Sequence, residues 1–364
     1  MKAKLQIRNF GPIKDIDIEL SKFNILIGPH ASGKSTISKV LCVIQSYFFE
    51  VSFEEIFSNQ FDVSPYEKRI ENRNDNRLNK LLINYRVENF QKKNTYWFFE
   101  DDLLSFEFKD GLILIKSKQT WDDLSPADCF YIPAERIALP MINDSLFELT
   151  HAQSSLPGYF LQFGKAFTIA RKNQKLFNFP ILDVDFEHRE GRNIVTLPTS
   201  KTLLLEETSS AIQAILPLLV ILQYPVKIAA LLVIEELELH GFPMLQKTLL
   251  NYLVESTKQS SLKDAYVVLP THSPYILSVA NNLLFAAKVA KQDNQIATEV
   301  DKIIGKDSWI EKEDFSAYYI KDGRAKSILN EKTGLIDENE LDGISEDLAG
   351  EFDALMELYN PAIA

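Results

Sequence analysis

The run Gly28-Pro29-His30-Ala31-Ser32-Gly33-Lys34-Ser35-Thr36 has the spacing of a loop that cradles phosphate, G-x-x-x-x-G-K-[ST]. In such a loop backbone N–H groups converge on an anion at a helix start, where the helix dipole also favours negative charge. The two glycines let the backbone close in, Lys34 can reach the β- and γ-phosphates, and Ser35 can hold Mg²⁺. Two further stretches carry groups of the matching chemistry. Glu235-Glu236 follow the apolar run 229–234, and Thr271-His272-Ser273-Pro274 follow the apolar run 265–269. A carboxylate at a strand end can join a metal shell, here Glu235, while its neighbour Glu236 can act as general base toward water. His272, alone a structural residue, becomes in this company a γ-phosphate contact able to report hydrolysis. Thr208-Ser209-Ser210 opens another helix: alone an ordinary cap, and beside the other motifs an anion site.

These groups need a sheet that brings strand ends to one edge. Residues 2–27 read as three short strands, the last being Phe23-Asn24-Ile25-Leu26-Ile27, and a helix-like stretch runs from Ile37 to Phe49. Residues 51–94 are charged and rich in asparagine, as in a mobile helical insertion, and 95–117 alternate like an antiparallel meander. Residues 136–176 read as mainly helical. Beyond them come a helix at 209–223, a strand at 229–234, a helix at 243–257, a strand at 265–269 and a helix after Pro274. Nearly continuous apolar strands between helices imply a parallel sheet covered on both faces. Residues 315–331 suggest a hairpin turning at Asp322-Gly323. The stripe Ile344, Leu348, Phe352, Leu355, Met356 and Tyr359 suggests a helix docked on the body.

Size and charge narrow the choice. The chain has 364 residues, 46% of them hydrophobic and 25% charged, which is ample for a core. No apolar run approaches a membrane span and no signal-peptide pattern opens the chain, so a cytoplasmic protein is expected. The net charge of −12 argues against a surface given over to nucleic acid. Local basic sets remain: Lys68, Arg69, Arg73, Arg77 and Lys80, and Arg171, Lys172 and Lys175. They read first as solvated helix faces. Cys42 and Cys129 form no C-x-x-C and read as separate buried thiols.

The order phosphate loop, serine-rich helix start, acidic strand end, strand-terminal His resembles the ABC-type ATPase heads of the SMC, RecF and OLD group. Leu5-Gln6-Ile7-Arg8-Asn9-Phe10-Gly11 is similar to their first strand, and Tyr131-Ile132-Pro133-Ala134-Glu135-Arg136 to a segment near their γ-phosphate sensor. Glu235-Glu236-Leu237-Glu238-Leu239-His240-Gly241-Phe242-Pro243 follows their I-E-E-P-E-x-H-x-H-P pattern, continuing to Gln246. The resemblance covers roughly residues 1–50 and 125–285, and extends to compact prokaryotic AAA-family ATPases of anti-phage defence operons. His30, Ala31, Leu237 and Phe242 depart from the pattern, and Ala211 stands where the serine signature usually has Gly.

The resemblance implies an α/β fold. It would be an ABC-type phosphate-loop head with a mixed and parallel sheet flanked by helices, an antiparallel β-subdomain and a helical insertion. It divides the chain into an ATPase domain at 1–300, with an insertion at 51–125 and a helical subdomain at 136–176, and an extension at 301–364. It also implies ATP and Mg²⁺, sandwiched in a homodimer or higher oligomer, with Ser209 and Ser210 of one copy acting on nucleotide held by Lys34 of the other. OLD-type relatives carry a nuclease domain with an Asp-x-Asp cluster after the strand-terminal His. Here such pairs occur only earlier, Asp15-Ile16-Asp17 and Asp183-Val184-Asp185, so the nuclease or toxin is expected in a separate effector protein. A DNA-binding clamp of the repair or chromosome kind is the alternative, and the ATP-binding subunit of a transporter a more distant one.

Overall fold

The computed structural model describes residues 2–57, 67–71, 76–118, 128–142, 156–224, 229–259, 262–337 and 350–356. The three expected opening strands form as β1 (Ala3–Phe10), β2 (Ile13–Leu20) and β3 (Phe23–Ile27). β3 is buried at every position. It leads through the phosphate loop into α1 (Lys34–Phe57), a longer helix than the apolar pattern alone marked.

β3 lies inside a six-stranded sheet. Its neighbours are β14 (Tyr266–Thr271) and β15 (Phe315–Lys321), followed outward by β13 (Ala229–Ile234) and β8 (Asp128–Ile132) on one side and β16 (Arg324–Ser327) on the other. The five strands β15, β3, β14, β13 and β8 run parallel, and β16 closes the edge as the antiparallel arm of the hairpin. The register pairs Ile27 with Thr271 and Ile234 with Ile132, so the C-terminal ends of the strands share one edge. Parallel strands place their ligand crevice there.

The second sheet is antiparallel throughout, in the order β2, β1, β5 (Gln91–Glu100), β6 (Leu104–Lys109), β7 (Leu112–Ser117) and β4 (Glu67–Glu71). The meander expected at 95–117 is present, while the stretch 51–94, expected to be a helical insertion, supplies the strand β4 and the start of β5 as well as α2 (Asn76–Asn84) and the end of α1. In the meander alternate residues face the core: Trp97, Phe99, Phe106, Phe108, Ile113 and Ile115 are all buried. Tyr47 of α1 meets Phe106 edge-on at 5.9 Å, so α1 is packed against both sheets.

A third sheet, β9 (Leu176–Phe179), β10 (Val184–Arg189), β11 (Arg192–Thr196) and β12 (Thr202–Leu204), is a small antiparallel meander. It follows α3 (Leu139–Ile142) and α4 (Gly158–Asn173), the described part of the helical 136–176 stretch. α5 (Ser210–Gln223), α6 (Pro243–Gln259) and α7 (Pro274–Ala290) fall where the periodicity put them, with α8 (Asn294–Ile303) after them.

Three expectations are corrected or narrowed. Cys42 on α1 and Cys129 on β8 are joined as a disulfide, their Cα atoms 5.3 Å apart, because α1 packs directly over β8. The C-terminal stripe lies partly outside the described residues. In its helical part, 350–356, Phe352, Leu355 and Met356 are exposed rather than docked. Of the first basic set, Arg73 lies outside the described residues, and Arg77 and Lys80 sit on α2. Both early Asp-x-Asp pairs are surface features: Asp15 pairs with Arg8 at 3.1 Å, Asp17 accepts from Gln6, and Asp185 accepts from Asn178. Among the described residues no helix is long and apolar enough to cross a membrane.

Candidate functional site

The shared strand edge gathers three of the four predicted segments. At the phosphate loop, Gly28 has φ +150°, and a Cβ there would stand 2.1 Å from the carbonyl oxygen of Ile320 on β15. Only glycine fits, because the neighbouring strand crosses that close. Pro29, His30, Ala31 and Ser35 are exposed, whereas Ser32, Gly33, Lys34 and Thr36 are buried. The hydroxyl of Ser32 is buried without a hydrogen-bond partner. Lys34 Nζ donates to the carbonyls of Gly28 (2.7 Å) and Pro29 (2.8 Å) and lies 3.5 Å from His272 Nδ1. Its ammonium therefore points into the loop. Burial pulls its pKa down to about 8, against the raising effect of Glu236, Glu238 and Glu235.

His272 ends β14 and meets the loop from the other side, its ring 4.0 Å from that of His30. Burial first, then Lys34 and His30, bring its pKa down to about 4, so the imidazole is neutral at pH 7. A neutral ring beside Lys34 can donate one N–H to an incoming phosphate oxygen.

The acidic turn follows β13. Glu235 N–H donates to Ile132 O and Glu236 N–H to Pro270 O, which ties the turn to β8 and β14 together. Glu236 takes φ +44°, a left-handed conformation that costs a non-glycine residue free energy and recurs where geometry serves chemistry. Its carboxyl is held above the usual carboxylate range by burial, then by Glu238 and Glu235. A raised carboxyl pKa is what a general base needs to take a proton near neutral pH. Glu235 is buried, and its Oε1 has no hydrogen-bond partner. A buried, unsatisfied carboxylate oxygen fits a metal-ligand role. Among the described residues there is no group of three or more His, Cys, Asp or Glu that could hold a metal. A Mg²⁺ ion here would therefore share its coordination with phosphates and water, its usual arrangement at nucleotide sites.

Sequence reasoning passed over the groups that lock these pieces together. Glu238 Oε1 accepts from Thr271 Oγ1 (2.6 Å) and from the His272 N–H (2.9 Å). Ser273 Oγ donates to Gln246 Oε1 (2.6 Å), and Gln246 Nε2 donates to Gly241 O (2.8 Å). The acidic turn and the histidine segment are thus one hydrogen-bonded unit. The signal for Glu238 and Gln246 was their place in the quoted acidic pattern, which gave no role. Tyr131, on β8, keeps its proton through burial and the negative charge of Glu235.

The serine-rich helix start stands apart. Ser209 caps α5, its hydroxyl accepting from the Ile212 N–H, and both Ser209 and Ser210 are exposed. Among the described residues neither serine bonds to the phosphate loop. Ala211 is half-buried in the first turn of the helix.

Comparison with known proteins covers part of this arrangement. Among curated proteins none matches the chain. In three dimensions it is similar, at TM-score 0.40 and 12% identity, to the SMC head domain from Thermotoga maritima, over 90% of this chain and 98% of that one. It is similar at 0.36 and 12% to the recombination mediator protein RecF, over 89% and 97%. For cbiO1 from Clostridium perfringens, part of an ABC transporter complex, the values are 0.31 and 11%, over 88% and 86%. Residues 1–131, which hold the whole phosphate loop, match the family described as an AAA ATPase domain.

Proposed function

We propose that this protein binds and hydrolyses ATP and works as a nucleotide-controlled switch. In this reading it forms a homodimer or higher oligomer that governs a partner effector, such as a nuclease or toxin, in prokaryotic anti-phage defence. The observation that carries the ATPase reading is the convergence of Lys34, His272, Glu235 and Glu236 on one strand edge around the phosphate loop. Lys34 binds the β- and γ-phosphates, exchanging its bonds to the Gly28 and Pro29 carbonyls for phosphate oxygens. Glu235 and Ser35 would hold Mg²⁺, which when bound would neutralise phosphate charge. Glu236 orients the attacking water and accepts its proton, and His272 donates to the γ-phosphate.

Support for the oligomeric part comes from what surrounds the site. Ser209 and Ser210 stand exposed at a helix start, Ser209 as its cap, and among the described residues neither bonds to the phosphate loop of its own chain. Phe242, Met244 and Tyr275, next to the Gln246–Ser273 junction, are 79%, 66% and 52% exposed. Apolar side chains left in water around a polar site suit a surface that another copy covers.

The test is solution mass with and without ATP–Mg²⁺ for wild type and Glu236→Gln, beside steady-state hydrolysis. The expected result is a variant that binds ATP, does not hydrolyse it, and gains mass. Hydrolysis by the wild type with no change of mass in either protein would remove the oligomeric part. ATP-dependent retention on DNA with a steep salt dependence would move the reading to the clamp.

A further inference from the structure

One fully buried cation takes no part in the chemistry just described. Arg136 sits in the short 3-10 turn Ala134–Ala138 after β8, with 0% of its surface exposed. Its hydrogen bonds all go to backbone carbonyls. Nη1 donates to Pro133 O (3.0 Å) and Glu235 O (2.6 Å), Nη2 to Glu236 O (2.6 Å), and Nε to Ala214 O (3.0 Å). A guanidinium is a rigid planar fork, so these bonds fix the relative positions of what they join. On one side is the left-handed turn at Glu236. On the other is the second turn of α5, the helix that begins with Ser209 and Ser210. Pro217 lies in the same helix and removes the N–H that Gln213, next to Ala214, would otherwise accept from.

Burying an arginine with no carboxylate bonded to it costs free energy, and a core alone would be served by an apolar side chain. The compensating charges are Glu238, Glu236 and Glu235 of the site, then Glu135 beside it in its own turn. We propose that Arg136 is the positioning residue of the hydrolytic centre: its fork holds the Glu235–Glu236 carbonyls so that the Glu236 carboxylate faces the water, and its Nε bond makes that placement follow the position of α5. Whatever engages Ser209 and Ser210 is thereby read by the base of the same subunit. The inference rests on the ATPase reading of Glu236.

The test compares Arg136→Lys and Arg136→Gln with wild type and Glu236→Gln. The measurements are affinity for a fluorescent ATP analogue and the split between kcat and KM. The expected result is affinity within about threefold of wild type, and kcat lowered roughly 10- to 100-fold in both arginine variants, since neither side chain reproduces the fork. Folded variants with wild-type kcat, while Glu236→Gln is inactive, overturn this inference and leave the ATPase reading intact. No hydrolysis by the wild type overturns both.

Should neither arginine variant fold, hydrogen exchange on Glu236→Gln with and without ATP–Mg²⁺ decides. Residues 211–216 and 235–237 are expected to change protection together, and a change in one segment without the other overturns the relay.

Discussion

The imidazole rings of His30 and His272 lie 4.0 Å apart at an interplanar angle of 30°. One comes from the phosphate loop and the other from the end of β14, where burial, then Lys34, then His30 make protonation of His272 harder. His272 has a folded pKa of about 4 against an ordinary 6.5, so the unfolded chain binds more protons between those values. Its contribution to stability is fully present above pH 6.5 and is lost as pH falls toward 4. His30→Asn removes one of the lowering charges, so the decline of melting temperature from pH 7.5 to 4.5 should be shallower than in wild type. Thermal melts at three pH values check this, and an equally steep decline would show that the ring pair is not electrostatically coupled.

Lys34 gives a second pH signature, at the alkaline end. Burial brings its pKa to about 8, and phosphates bind its protonated form. Nucleotide affinity should be flat up to about pH 8 and then fall about tenfold per pH unit, the proton having to be restored at each binding event. Glu236→Gln removes the largest of the three raising charges and should move the break to lower pH. A fluorescent ATP analogue titrated from pH 7 to 9.5 reads both effects. Undiminished affinity at pH 9.5 would mean that Lys34 stays charged and is better solvated than its contacts imply.

Ala31 takes φ +57° in the exposed part of the loop, a conformation that costs an L-residue about 1–2 kcal/mol. Glycine relieves that cost but loses about 0.5–1 kcal/mol through its freer unfolded chain. The net expectation for Ala31→Gly is stabilisation of roughly 0.5–1 kcal/mol, measured by urea unfolding. Destabilisation would show that the methyl makes contacts worth more than the strain.

Much of this site was legible in the residues because its parts are local. Gly28 to Thr36, Glu235-Glu236 and Thr271-His272 each follow an apolar run, and a parallel sheet puts the ends of such runs at one edge. What pattern could not give were the contacts between elements distant in sequence. Gly28 is required by Ile320, in a hairpin nearly three hundred residues away, as much as by any phosphate. The fork of Arg136 joins residue 136 to 214 and 235, and no local periodicity carries that information. The pairing of Cys42 with Cys129 was missed for the same reason: it depends on α1 crossing β8, not on cysteine spacing. The meander at 95–117 was legible from its alternation, whereas the strand at 67–71 was hidden by charge, its Glu, Lys and Arg residues reading as a solvated helix.

Glu238 offers the sharpest separation of charge from geometry. Its Oε1 holds the Thr271 hydroxyl and the His272 N–H, while its Oε2 is buried without a partner, and its charge is the largest single electrostatic influence raising the Glu236 carboxyl. Glu238→Gln keeps an acceptor for both donors and deletes the charge. Stability should change by less than about 1 kcal/mol. The acid limb of ATP hydrolysis should move to lower pH, because Glu236 then loses its proton more readily. Glu238→Ala deletes the acceptor as well and leaves the part-buried Thr271 hydroxyl and His272 N–H without it, at about 1–3 kcal/mol in stability. It should also free His272 from its place over the loop, lowering kcat beyond the effect of Glu238→Gln. If the two variants have the same kcat and the same pH profile, Glu238 acts through its charge alone, and the bonds to Thr271 and His272 do not hold the histidine for catalysis.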